Sequence, residues 1–157
     1  MSKHTLIIIC IWVALASVIY YLVESIQRPN TLQALGNEPT VVLKRGMDGH
    51  YRAEAIINGE KVDVLVDTGA TGVAISQRVA DRLNLKSLTA VRTNTANGTS
   101  VGYMVRLSSV KIGGVEANNV SAMIAPGLEG DVLLGMSFLA RMDVRLFKGE
   151  MTIKQVE

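Results

Sequence analysis

Hydrophobic and polar positions follow three different rules along this chain, and the changes of rule divide it. Across residues 6–23 (LIIICIWVALASVIYYLV) every position is uncharged, and no polar face recurs at the 3.6-residue period that a surface-docked helix needs. Such a run suits a helix that spans a bilayer, which takes about 17–25 apolar residues. A cleavable signal peptide has an apolar region of only about 7–15 residues. Cutting at the small-x-small pair Ala14 and Ala16 would also leave residues 18–23 as an exposed apolar tail. A retained transmembrane anchor is therefore expected over 6–23, behind a short N-terminal tail of residues 1–5.

Over residues 24–40 the pattern dissolves into polar residues with Pro29, Asn30, Gly36, Asn37 and Pro39, a composition that neither packs nor holds regular structure. This segment reads as a linker. A folded domain is expected over 41–157, where the period becomes two. Tyr51, Ala53, Ala55 and Ile57 alternate up to Asn58-Gly59, the preferred dipeptide of a two-residue hairpin turn. The returning arm sets Val62, Val64 and Val66 on one face, with Asp63 on the other. After Asp67-Thr68-Gly69-Ala70, Ser76 is expected to cap a helix running to about Leu85, with Val79, Ala80 and Leu83 inward.

Asn97-Gly98 marks a second hairpin, whose outgoing strand alternates Val101, Tyr103, Val105 and Leu107. It fits a projecting flap (Thr95, Ala96, Asn97, Gly98) and an ordinary surface hairpin equally well. Gly113-Gly114 precedes a strand with Val120, Ala122 and Ile124, and Pro126-Gly127 with Gly130 break the chain again. Residues 131–142 (DVLLGMSFLARM) read as a buried strand, a glycine and a helical turn capped by Ser137, with Asp131 as a strand-entry or capping residue. A last hairpin turns about Lys148-Gly149. The domain is mostly β, with turns recurring as in a closed β domain.

Composition narrows the chemistry. The chain has 157 residues and 48% hydrophobic content, enough for one small core. Sixteen basic and fourteen acidic residues give a net charge of +2, with no basic run that would track a phosphate backbone, so nucleic acid is not an expected partner. The only cysteine, Cys10, lies in the apolar run, so neither an intrachain disulfide nor a cysteine metal cluster is available. His4 and His50 stand apart and read as surface residues.

The residues that carry chemistry resemble a known family. Asp67-Thr68-Gly69-Ala70 after a valine strand, followed downstream by Leu133-Leu134-Gly135, is similar to the retropepsin-like aspartic proteases. The segment Thr95 to Gly98 and the run Leu-Leu-Gly-Met-Ser-Phe-Leu at 133–139 resemble the membrane-anchored bacterial branch. The resemblance implies a closed β-barrel half-domain with one or two short helices, behind a single N-terminal transmembrane helix. It implies a peptide hydrolase with Asp67 as the catalytic residue and Thr68, Gly69 and Ala70 as the active-site loop and dimer contact. Thr68 would hydrogen-bond across to the partner's loop, and Leu133, Leu134 and Gly135 would support the site.

No cofactor and no metal is implied, because a carboxylate and a carboxylic acid suffice as base and acid for amide hydrolysis. One Asp-Thr-Gly supplies only one of the two, so the partners implied are a second copy of the chain and a peptide or protein substrate. Lys3 and the terminal amine, set against Arg28 and later Lys44 and Arg45 under the positive-inside rule, favour a body facing outward. For the bacterial branch that the chain resembles, this means the inner membrane with the domain on the periplasmic side. Viral members carry an Arg after the second glycine and an acidic residue past the first motif, where this chain has Met136 and Thr71-Gly72. Without that ion pair, weak association of the isolated domain is expected.

Other readings of the same residues stay open. Asp67 is also a common residue type for a turn that leads to Gly69. A retropepsin-like fold that binds extended peptides without cutting them would not need that carboxylate, and neither would a membrane scaffold built on residues 6–23.

Overall fold

The computed structural model describes residues 3–27, 39–95 and 98–156. The uncharged run forms one helix, α1 (Lys3–Gln27), whose apolar window is fully exposed. By length and composition this helix is able to cross a membrane, and a signal sequence has the same features.

The alternating region becomes strands. β1 (Thr40–Lys44) is followed by the hairpin of β2 (Tyr51–Ile57) and β3 (Glu60–Val66). Its turn residues Asn58 and Gly59 have φ of 49° and 90°, the left-handed pair that lets a two-residue turn match strand twist. The resulting register, Ala53↔Val64 and Ala55↔Val62, puts the small and branched side chains of both arms on one buried face.

The chain continues through β4 (Val73–Ile75), α2 (Gln77–Arg82), β5 (Ala90–Thr95), β6 (Gly98–Ile112) and β7 (Val115–Ile124). It ends with β8 (Val132–Leu134), α3 (Met136–Leu139), β9 (Met142–Phe147) and β10 (Glu150–Gln155).

Six strands close a barrel in the order β2-β3-β8-β4-β7-β6, with Ile56↔Lys111 and Ile57↔Val110 joining β6 back to β2. β5 extends from the β6 edge, and β1, β10 and β9 form a separate three-stranded sheet. The core is filled by Ile57, Ile75, Leu107, Ile112, Leu134, Phe138 and their neighbours, each fully buried side chain contributing about 1.5–3 kcal/mol. The expected mostly β, closed-barrel class with few helices is the observed one.

Two details differ from the sequence expectation. α2 stops at Arg82, short of Leu85, because Asn84 takes a φ of 52°. Its N–H bonds to the Asp81 carbonyl while the Leu85 N–H bonds to the Ala80 carbonyl, a Schellman ending. The N-cap of α3 is Gly135, and Ser137 lies inside the helix with its hydroxyl bonded elsewhere. The expected flap tip falls partly outside the described residues, which omit Ala96 and Asn97.

Candidate active site

The barrel order creates the site. β3 and β4 are consecutive in the chain, yet β8 lies between them, parallel to β3 (Val66↔Leu134) and antiparallel to β4 (Ala74↔Leu133). The loop 67–72 must therefore pass over the end of β8. Asp67 enters that loop with its N–H donating to the Leu134 carbonyl at 3.1 Å. Its carboxylate Oδ1 accepts the Gly69 N–H at 2.8 Å, and the Ala70 N–H returns to the Asp67 carbonyl at 3.3 Å. Asp67 is half-buried, while Thr68 and Gly69 are exposed. The loop thus presents one carboxylate, oriented by its own backbone, on a surface that this chain leaves open.

The downstream segment receives the loop. Met136 N–H donates to the Ala70 carbonyl at 2.8 Å and Ser137 N–H to the Thr71 carbonyl at 3.1 Å. Contact is this close only because residue 135 is glycine. A Cβ there would lie 2.3 Å from the Gly72 carbonyl oxygen and 2.6 Å from that of Ala70. The structure thus brings Asp67, Thr68, Gly69 and Ala70 together with Leu133, Leu134 and Gly135. At Gly69 a Cβ would come within 3.2 Å of Asp67 Oδ1, crowding the carboxylate.

The β5–β6 hairpin that carries Thr95 and Gly98 is a separate extension of the barrel, and a Thr99 hydroxyl bond to Asn94 Oδ1 at 3.2 Å ties its arms. Met136, which follows Gly135, is exposed.

Asp131 does more than open a strand. Its carboxylate pairs with Arg78 and, at 3.4 Å, with Arg82, while its carbonyl accepts the Ser76 N–H at 2.9 Å, so it fastens α2 to the start of β8. The spacing of Arg78 and Arg82, one helical turn apart, was the only signal of this in the sequence. Ser137 was also misread from the sequence, since a serine opening a short apolar helix has the same pattern as a cap.

Residues 53–141 match the family described as "gag-polyprotein putative aspartyl protease", a span of more than half the chain. The chain belongs to the retropepsin-like aspartic protease family. Among solved structures, this retropepsin-like chain is similar to a retropepsin-like aspartic protease from Rickettsia conorii. The two share 27% identity and a TM-score of 0.63, over 80% of this chain and 95% of that one. An uncharacterized protein of a Sinorhizobium species is 33% identical over 108 residues, covering 66% of this chain and 46% of its own length. An uncharacterized protein of Rickettsia prowazekii (strain Madrid E) is 37% identical over 112 residues, covering 69% of this chain and 46% of its own. The retropepsin-like chain spans just under half the length of both curated relatives.

Proposed function

We propose that this chain is a membrane-anchored aspartic endopeptidase, active as a homodimer with Asp67 as the catalytic residue of each subunit. The observation that carries the reading is the half-buried Asp67 carboxylate on an exposed loop, oriented by the Gly69 N–H and hung on β8. One such carboxylate cannot be both acid and base, and a two-fold axis through the loop would supply the second. Two carboxyl groups about 3 Å apart cannot both ionise. They would hold one proton between them, with one group activating water and the other protonating the scissile carbonyl oxygen. Thr68, Gly69 and Ala70 form the dimer-contact loop in this reading, and Thr95 to Gly98 the flap. Several extended residues of a peptide would bind across the cleft by strand-like hydrogen bonding.

The division into a tail (1–5), an anchor (6–23), a linker (24–40) and the protease domain (41–157) belongs to the same proposal. So does residence in the inner membrane with the domain on the periplasmic side. The uncharged run 6–23, exposed within helix α1, supports an anchor, and Lys3 ahead of that run supports that orientation. Two anchors in one bilayer would raise the effective concentration of the weakly associating domains.

The test is cleavage of a mixed peptide library by the full-length chain in detergent and in liposomes, wild type against Asp67→Asn, from pH 4 to 7. Cleavage by wild type and none by Asp67→Asn is the expected result. Cutting that survives the substitution assigns the activity elsewhere, and binding without cutting by either form replaces the enzyme with a peptide-binding module.

A further inference from the structure

The loop between β3 and β4 is fastened to residues 134–137 at four points. Asp67 N–H donates to the Leu134 carbonyl, Met136 N–H to the Ala70 carbonyl and Ser137 N–H to the Thr71 carbonyl. The fourth bond runs from the Val73 N–H to Ser137 Oγ at 3.0 Å. The first three join main chain to main chain, and many side chains at those positions would allow them. Only the fourth depends on a particular side chain.

That side chain is fully committed. Ser137 Oγ donates its own proton to the Ser121 carbonyl of β7 at 3.0 Å, which turns a lone pair towards the Val73 N–H. A serine within a helix ordinarily bonds to its own helix or caps it. Here both partners lie in other strands, 64 and 16 positions away. The N-cap of α3 is Gly135, so the hydroxyl does not cap that helix. One half-buried oxygen instead fixes the point where the Asp67 loop ends and β4 begins, relative to β7 and α3.

We infer that Ser137 is a positioning residue for Asp67, setting through Val73 the angle at which loop 67–72 presents its carboxylate. The inference rests on the protease reading above. It follows from the geometry such a reading demands: two carboxyls from two copies must meet within about 3 Å. A misplacement of about 1 Å costs on the order of a hundredfold in rate. Three backbone bonds hold the loop's start and middle, and the Ser137 hydroxyl holds its end.

The experiment uses the full-length chain in detergent with Ser137→Ala, Ser137→Thr and Ser137→Val. It reads amide hydrogen exchange at Val73, kcat and KM for a cleaved peptide, and the thermal midpoint. Ser137→Ala and Ser137→Val should speed Val73 exchange about tenfold, the weight of one hydrogen bond. They should lower kcat by about ten- to a hundredfold with KM unchanged. Ser137→Thr keeps the hydroxyl and should restore both, while its near-isostere Ser137→Val does not. A purely structural role would move the midpoint and leave kcat per folded molecule alone.

Unchanged Val73 exchange or unchanged kcat in Ser137→Ala, with an active wild type, overturns the inference and leaves the protease reading standing. Equal behaviour of Ser137→Thr and Ser137→Val also overturns it. A wild type that cuts no peptide ends the protease reading and this inference together.

Discussion

The two strand-to-helix units beside the candidate site use serine in opposite ways. β4 enters α2 through Ser76, which is buried and caps its own helix by accepting the Val79 N–H at 3.4 Å. β8 enters α3 through Gly135, and the serine that follows bonds outward to Val73 and Ser121. What lies over each helix start explains the difference. The Asp67 loop crosses the start of α3 so closely that no Cβ fits at residue 135. The loop also does the capping, since its Ala70 and Thr71 carbonyls accept the first two helical N–H groups, those of Met136 and Ser137. A helix start that receives a candidate catalytic loop thus gives up a side-chain cap and is capped by the loop itself.

That contrast breaks most easily at the core. Phe138 anchors α3 and is fully buried, so Phe138→Ala should cost about 3–5 kcal/mol in denaturant unfolding. Val79→Ala on α2, also fully buried, removes less volume and should cost about half as much. Equal losses would mean that α3 is not the heavier anchor.

Gly135→Ala comes next. The added methyl meets two backbone carbonyls that no rotamer change relieves, a loss of about 1–3 kcal/mol, and the displaced loop should lose about a hundredfold in cleavage. Gly127→Ala, with open space around its Cβ, should stay within about 0.5 kcal/mol of wild type. Ser76→Ala should cost about 1 kcal/mol, read as a lower thermal midpoint, and leave kcat untouched. If Ser76→Ala slows cleavage as Ser137→Ala is expected to, the two serines are not different after all.

Much of this was legible in the sequence because its signals are local. Asn58-Gly59 specified its turn through backbone conformation, and the valines of β3 specified their buried face through period two. Asp67 and the Leu133-Leu134-Gly135 run stood out as a pair, and the fold brings them together. Partner choice was not legible: nothing in the period of β8 says that it inserts between two strands consecutive in the chain. For the same reason Ser137 read as a cap, since its true partners are 64 and 16 positions away. Asn84 ended α2 early through a left-handed backbone that its side-chain type permits and does not require.

The smallest expected effect compares two carboxylates that both face arginine. Asp131 joins two secondary elements and is largely covered, with a side chain 13% exposed. Asp48 lies in the exposed turn between β1 and β2, where it accepts the His50 N–H at 3.1 Å and pairs with Arg52. The backbone donation from His50, and after it the Arg52 guanidinium, hold the Asp48 carboxyl below its ordinary value. A carboxyl lowered in the folded state adds stability above its unfolded value and loses it as pH falls through the folded one. Asp48→Asn keeps an oxygen acceptor for His50 and removes the charge together with the second oxygen, the one that accepts from Arg52. It should therefore lower the thermal midpoint slightly at neutral pH, and the gap to wild type should close as the solution is acidified through and below the usual carboxylate range. Because the group is exposed, added salt should narrow the part due to Arg52 and leave most of the part due to the His50 N–H. A gap that persists undiminished in acid would mean that the turn depends on the shape of the aspartate and not on its charge.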